Sequence, residues 1–169
     1  ILSKSPKGRI TILSGPPGTG KTHLIKSLCR DLGKVQTPFN AIIVPVGMTE
    51  QLAGPSLIPL LLSTSNDRNR TLLILEDADH AILKRGLDNL GTLSTLLNIS
   101  DGLVGQALNI HIICSTNVKV TEIDEALRRP GRLSEHIQVE ELTFDEAALA
   151  LQSILATKSP SAVPRSRVE

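Results

Sequence analysis

The sequence predicts an α/β fold of three layers around a mostly parallel five-stranded sheet, and three observations predict it. Apolar runs such as Ala41-Ile42-Ile43-Val44 and Thr71-Leu72-Leu73-Ile74-Leu75 read as parallel strands covered on both faces. Stretches with apolar residues at helical spacing alternate with them. Between the first strand and the first helix lies Gly15-Pro16-Pro17-Gly18-Thr19-Gly20-Lys21-Thr22, a complete G-x-x-x-x-G-K-[ST] phosphate-binding loop.

The loop's chemistry follows from its residue types. Glycines let the backbone turn so that successive N–H groups face phosphate oxygens, and the helix beginning beyond them adds the positive end of its dipole. Lys21 is expected to reach the β and γ phosphates, Thr22 to ligate Mg²⁺, and His23 to complete the nucleotide-contacting set. A nucleotide with Mg²⁺ is therefore the first expectation.

Taken in order, residues 8–14 form the first strand, and the next helix runs from His23 to Leu32, with Leu24, Ile25, Leu28 and Cys29 on one side and Gly33 stopping it. The second strand spans 41–46, its pairing ended by Pro45. A helix over 50–64 starts late and irregularly because of Gly54, Pro55 and Pro59. A polar loop over 63–70 then leads into the strand ending at Leu75.

That strand delivers Glu76, Asp77 and Asp79 at its C-terminal end, where parallel sheets bind ligands. By their order, Glu76 takes the metal role and Asp77 acts on the attacking water, while Asp79 is expected to cap a short helix over 80–83. A helix over 88–102 and a strand over 108–114 follow, the latter ending in Ser115-Thr116-Asn117. Asn117 is placed either to contact the γ-phosphate or lytic water, or simply to close the strand as a turn residue.

Thr121 is expected to cap a helix over 122–128. In Arg128-Arg129-Pro130-Gly131-Arg132, arginines flank a rigid turn, and a held guanidinium suits charge developing on a transferring phosphoryl group. The alternative is a solvated basic turn paired with a local acid such as Glu135. Residues 136–139 make a closing strand, and Thr143 with Glu146 forms a capping box for an amphipathic helix carrying Ala147, Leu151, Ile154 and Leu155.

At 169 residues the chain fits one core domain over 1–142, a helix over 143–157 and a disordered tail over 158–169. Hydrophobic residues at 40% and charged residues at 21% exclude disorder throughout, and no apolar run approaches membrane-spanning length. A net charge of +1 with 1% aromatic residues argues against a nucleic-acid partner, because neither a general basic field nor a stacking platform is present. Cys29 and Cys114 read as buried apolar side chains, which fits a cytoplasmic or other reducing compartment. Beginning at Ile1, the chain reads as a fragment, so targeting is not legible in it.

These motifs together resemble the AAA family of ATPases: Gly15 to Thr22 as Walker A, Leu72 to Asp79 as Walker B, Ser115 to Asn117 as sensor 1 and Asp124 to Leu133 as the arginine-finger segment. The resemblance implies a P-loop NTPase core whose nucleotide is ATP, Arg129 and Arg132 as fingers reaching a neighbouring subunit's ATP, a homo-oligomeric and commonly hexameric ring, and remodelling or translocation of a protein substrate. It also implies that residues 143–157 open a truncated C-terminal lid, with sensor 2 not identifiable. Most of the family has Asp then Glu at Walker B; the Glu76-Asp77 order, like the stretch from Leu97 to Gly102, resembles the mitochondrial Bcs-type translocase branch. Leu52 stands where the family's pore loop carries an aromatic residue, so threading by aromatic paddles is not expected. The other readings are a nucleic-acid-associated AAA+ loader and a slowly hydrolysing nucleotide switch.

Overall fold

The structure is a computed structural model and describes residues 8–35, 39–64, 70–84, 86 and 89–158. Five parallel strands form one sheet: β1 (Ile10–Ser14), β2 (Phe39–Val44), β3 (Arg70–Leu75), β4 (Ile110–Thr116) and β5 (Leu133–Gln138), in the order β2-β3-β4-β1-β5. The chain leaves β1 for the far edge, returns through β3 and β4, and crosses to β5 on the other side of β1. All five C-terminal ends therefore lie along one edge, the edge at which parallel sheets bind ligands. Register makes this exact enough for chemistry: Ser14 pairs with Thr116, and Leu75 pairs with Cys114.

Alternation along the strands builds a core on each face. Leu73, Leu75, Ile110, Ile112 and Cys114 pack on one side with Leu61, Leu93, Leu96 and Ile99, which belong to α2 (Leu57–Thr64) and α4 (Leu90–Asp101). On the other side, Leu13, Leu72, Ile74 and Ile113 meet Ile25, Leu28 and Cys29 of α1 (Lys21–Leu32). This is the three-layer arrangement that the strand pattern predicts, with a sheet wholly parallel among the described residues.

Several boundaries shift, each for a local reason. β2 stops at Val44, directly before Pro45, but it is an edge strand with Ile43 60% exposed, not a strand covered on both faces. The irregular start of the next helix is a 3₁₀ turn over Thr49–Ala53 ahead of α2; Leu52 there is 4% exposed and belongs to the core. Asp88 and residues 65–69 fall outside the described residues, as does the tail from 159 onward.

After α3 (Asp79–Ile82) and α4, Gly102 breaks the helix and a further short helix, α5 (Leu103–Ala107), appears where a connection was expected. Asn109 then takes a left-handed turn (φ 49°), so β4 begins and ends two residues later than its apolar run suggests. Ser115 and Thr116 thereby lie inside the strand, 2% and 0% exposed.

Thr121 sits within a 3₁₀ turn over Val120–Glu122 and caps no helix; Asp124 does so instead, its carboxylate accepting the Ala126 N–H at 2.8 Å at the start of α6 (Glu125–Arg128). An Asp one residue before the helix outcompetes a Thr that is already committed to the preceding turn. Cys29 is half-buried, less enclosed than its helical spacing suggested, whereas Cys114 is fully buried.

The capping box opens α7 (Phe144–Lys158): Thr143 N–H donates to Glu146 Oε2 at 2.8 Å, and Glu146 N–H donates back to Thr143 Oγ1 at 3.3 Å. Its large apolar residues remain exposed, Phe144 at 88% and Leu149 at 64%. Among the described residues no helix is long and apolar enough to cross a membrane.

Candidate nucleotide site at the sheet edge

The loop after β1 is shaped for close backbone approach. Gly18 and Gly20 take φ of 83° and 92°, and Gly20 is the N-cap of α1, which begins at Lys21 and so places Lys21, Thr22 and His23 in its first turn. At Gly15 the constraint is steric: an added Cβ would lie 2.0 Å from the Val139 carbonyl oxygen. Gly15 N–H donates to Thr116 O at 3.2 Å and Val139 N–H to Ser14 O at 2.7 Å, so the loop's entry is fastened to strands on both sides.

Lys21 is 6% exposed, and its ammonium donates to Gly15 O and Pro16 O, each at 2.8 Å. Among the described residues no carboxylate forms an ion pair with it. A nearly buried cation whose partners are neutral carbonyls suits an incoming polyanion, because phosphate oxygens supply the missing counter-charge. The exposed Pro16, Pro17 and Gly18 and the half-buried Thr19 form the rim, where Thr19 Oγ1 bonds Pro16 O at 2.9 Å.

On the same sheet edge, β3 ends and releases the acids. Glu76 is half-buried; Asp77 is exposed and takes a left-handed backbone (φ 45°) that Asp tolerates better than most residues. Its N–H donates to Ser115 Oγ at 3.1 Å, and Asn117 Nδ2 approaches its carboxylate Oδ1 at 3.5 Å. Thus Asp77 and Asn117, forty positions apart, share one spot beside the loop. Asp79 is not the helix cap, a place taken by Ala78; its Oδ1 accepts Thr116 Oγ1 at 2.6 Å and Asn117 N–H at 2.9 Å. Sequence reasoning missed this role, and the only sign was a third acid two positions after Asp77.

No group of three or more His, Cys, Asp or Glu gathers at one point among the described residues. A dication here would thus draw few protein ligands, with Thr22 and Glu76 the suitable pair and phosphate and water oxygens supplying the rest, as Mg²⁺ prefers.

The arginines separate. Gly131 makes the turn with φ 91°; Arg129 beyond α6 is exposed, whereas Arg132 is held on its own chain, donating to the Asp101 carboxylate and, at 2.9 Å, to Ala126 O. Asp101, at the end of α4, is the acid that holds the turn, rather than Glu135. A second unpredicted tie is His136 Nε2 with Ser14 Oγ at 2.7 Å, linking β5 to the residue before the loop.

Residues 11–141 match the family described as ATPase family associated with various cellular activities (AAA). Among curated relatives, the AAA-ATPase At3g50940 of Arabidopsis thaliana is 36% identical over 138 residues, covering 76% of this chain and 28% of that protein. The mitochondrial inner membrane m-AAA protease component AFG3L2 of Mus musculus is 34% identical over 147 residues, 80% of this chain and 17% of that one. The ATP-dependent zinc metalloprotease FtsH of Hahella chejuensis is 30% identical over 168 residues, 94% and 26%. This chain thus spans between a sixth and under a third of these relatives' lengths. A solved E. coli HORMA:CdnC:Trip13 complex contains a chain of the same fold, with a TM-score of 0.68 at 18% identity over 87% of this chain and 54% of that one. The loop, the acid-tipped third strand and the polar tip of β4 thus lie where this match runs, and the chain belongs to the AAA family of ATPases.

Proposed function

We propose that this domain binds Mg-ATP at the sheet edge and hydrolyses it to drive remodelling or translocation of a protein partner, working as one subunit of a homo-oligomeric ring, commonly hexameric in this family. The observation that carries the reading is that Asp77 and Asn117, forty positions apart, meet at the sheet edge from which the loop bearing Lys21 also leaves. Two relatives, one named as a protease component and one as a metalloprotease, support protein as the substrate class.

Bound ATP with Mg²⁺ would supply the transferable phosphoryl group and neutralise part of its charge. Lys21, whose ammonium now donates to the loop carbonyls, would neutralise phosphate charge, and Thr22 and Glu76 would hold the metal. Asp77 would orient the attacking water, and the Asn117 amide, 3.5 Å from its carboxylate, would help to hold it. Arg129 and Arg132 would serve a neighbour's site; Arg129 is exposed, while Arg132 is held by Asp101 and Ala126 O. Leu52, sunk in the core, gives no paddle to the pore, so grip on a substrate falls to other residues.

The test separates the two acids. Asp77→Asn should retain Mg-ATP while lowering the hydrolysis rate on the order of 10²-fold, trapping the ATP state. If Asp77→Asn abolishes binding and Glu76→Gln traps ATP, the roles are reversed.

A further inference from the structure

Both groups assigned to the water lie beyond the last paired residue of their strands. The ladder between β3 and β4 ends at Leu75 with Cys114, and that between β1 and β4 ends at Ser14 with Thr116, so Asp77 and Asn117 have no sheet partner of their own. A side-chain lattice replaces the ladder. Ser115 Oγ accepts Asp77 N–H at 3.1 Å, and Ser115 O accepts Ala78 N–H at 2.8 Å. Asp79 Oδ1 accepts both Thr116 Oγ1 at 2.6 Å and Asn117 N–H at 2.9 Å, while Thr116 Oγ1 in turn accepts Val118 N–H at 3.2 Å. Thr116 and Ser115 are almost wholly buried, which shields their hydroxyl bonds from water, while the Asn117 N–H bond to Asp79 lies at the exposed rim.

We infer that Asp79, acting with Thr116 and Ser115, is a positioning residue that sets the separation of Asp77 and Asn117 and thereby aims the attacking water; this rests on the water role given to Asp77 above. Oδ1 of Asp79 is taken by the tip of β4, and it is through Asn117 that this residue acts. Loss of this tie lets the Asn117 backbone swing free of β3. A displacement near 1 Å at a reacting group costs on the order of 10²-fold in rate, whereas the loop that binds phosphate keeps its own fastenings to Thr116 O and Val139.

The experiment compares Asp79→Ala, Thr116→Val and Thr116→Ser in the full-length protein, measuring single-turnover ATP hydrolysis, ADP affinity and thermal melting, with Asp77→Asn alongside. Asp79→Ala and Thr116→Val should each slow hydrolysis at least about tenfold while ADP affinity stays within about twofold, and Thr116→Ser, which keeps the hydroxyl, should restore most of the rate. Folded Asp79→Ala or Thr116→Val protein with an unchanged rate, beside an inactive Asp77→Asn, would overturn the positioning role alone. A loss of ADP affinity in step with the rate would overturn it too, by showing general damage to the loop. Should Thr116→Val fail to fold, Asp79→Ala, which removes a half-exposed side chain, decides the matter. An active Asp77→Asn would instead sink the water assignment itself.

Discussion

Lys21 lies at the floor of the phosphate loop with two carbonyls for company, so its value shows only when an anion arrives. Lys21→Ala should weaken ATP binding at least about 100-fold, near 3 kcal/mol, with little change in melting temperature of the nucleotide-free protein. Retained micromolar affinity in a titration would refute the assignment of the loop. A second residue-scale expectation concerns His111, whose ring accepts or donates at 2.9 Å to Thr11 Oγ1 inside the β1–β4 ladder. Burial lowers its pKa from 6.5 to about 4, with the positive charge of Arg9 acting the same way. The unfolded chain thus takes up this proton at a higher pH than the folded one, so the contribution to stability is complete above about pH 6.5 and is lost as pH falls towards 4. The loss is roughly 3 kcal/mol at full protonation. Denaturant midpoints measured from pH 7 to 4 should fall more steeply for the wild type than for His111→Gln, and parallel curves would remove His111 as the cause. Burial also pushes the Cys114 thiol up to about 12, so it should resist alkylation in the folded protein.

At the scale of elements, the turn between α4 and α5 is tighter than its sequence suggests. A Cβ at Gly105 would lie 1.7 Å from the Ile99 carbonyl oxygen, and that contact is backbone, which has little room to yield. Gly105→Ala should therefore destabilise the domain by about 2 kcal/mol or more, read as a lower chemical-denaturation midpoint, because α5 must lift from α4 and disturb the entry to β4. A midpoint within experimental scatter of wild type would mean that α5 is loosely attached. The same pair of helices carries Asp101, so the packing that brings Gly105 against Ile99 also sets where Arg132 is held.

For the whole molecule, the proposed ring places an exposed Arg129 of one subunit against the nucleotide of the next. Loss of such a cation typically lowers phosphoryl-transfer rate on the order of 10³-fold with affinity largely intact, so Arg129→Ala should bind ATP and hydrolyse it slowly. Mixing Arg129→Ala subunits with Lys21→Ala subunits, each nearly inactive, should restore activity under conditions where the full-length protein assembles. Some interfaces then join an intact loop to an intact arginine. No recovery in rings shown to be mixed would count against action between subunits and leave Arg129 as a solvated basic residue.

Local chemistry made much of this legible in the sequence. A Gly-rich loop ending in Lys21-Thr22, an apolar run ending in Glu76-Asp77 and arginines around Pro130-Gly131 depend on short spacings, and short spacings are read directly along a chain. Alternation of apolar runs with helical patterns likewise specified a parallel α/β sheet, since both faces of such strands need cover. What only the tertiary structure decided are contacts between residues distant in sequence: Asp79 turning from a helix cap to a brace for Thr116 and Asn117, Asp101 rather than Glu135 holding Arg132, and His136 meeting Ser14. The physical reason is that a carboxylate or a hydroxyl can be satisfied by its neighbours in sequence or by whatever the sheet register brings alongside. That choice is made when β3 aligns Leu75 with Cys114, and no local pattern contains the register.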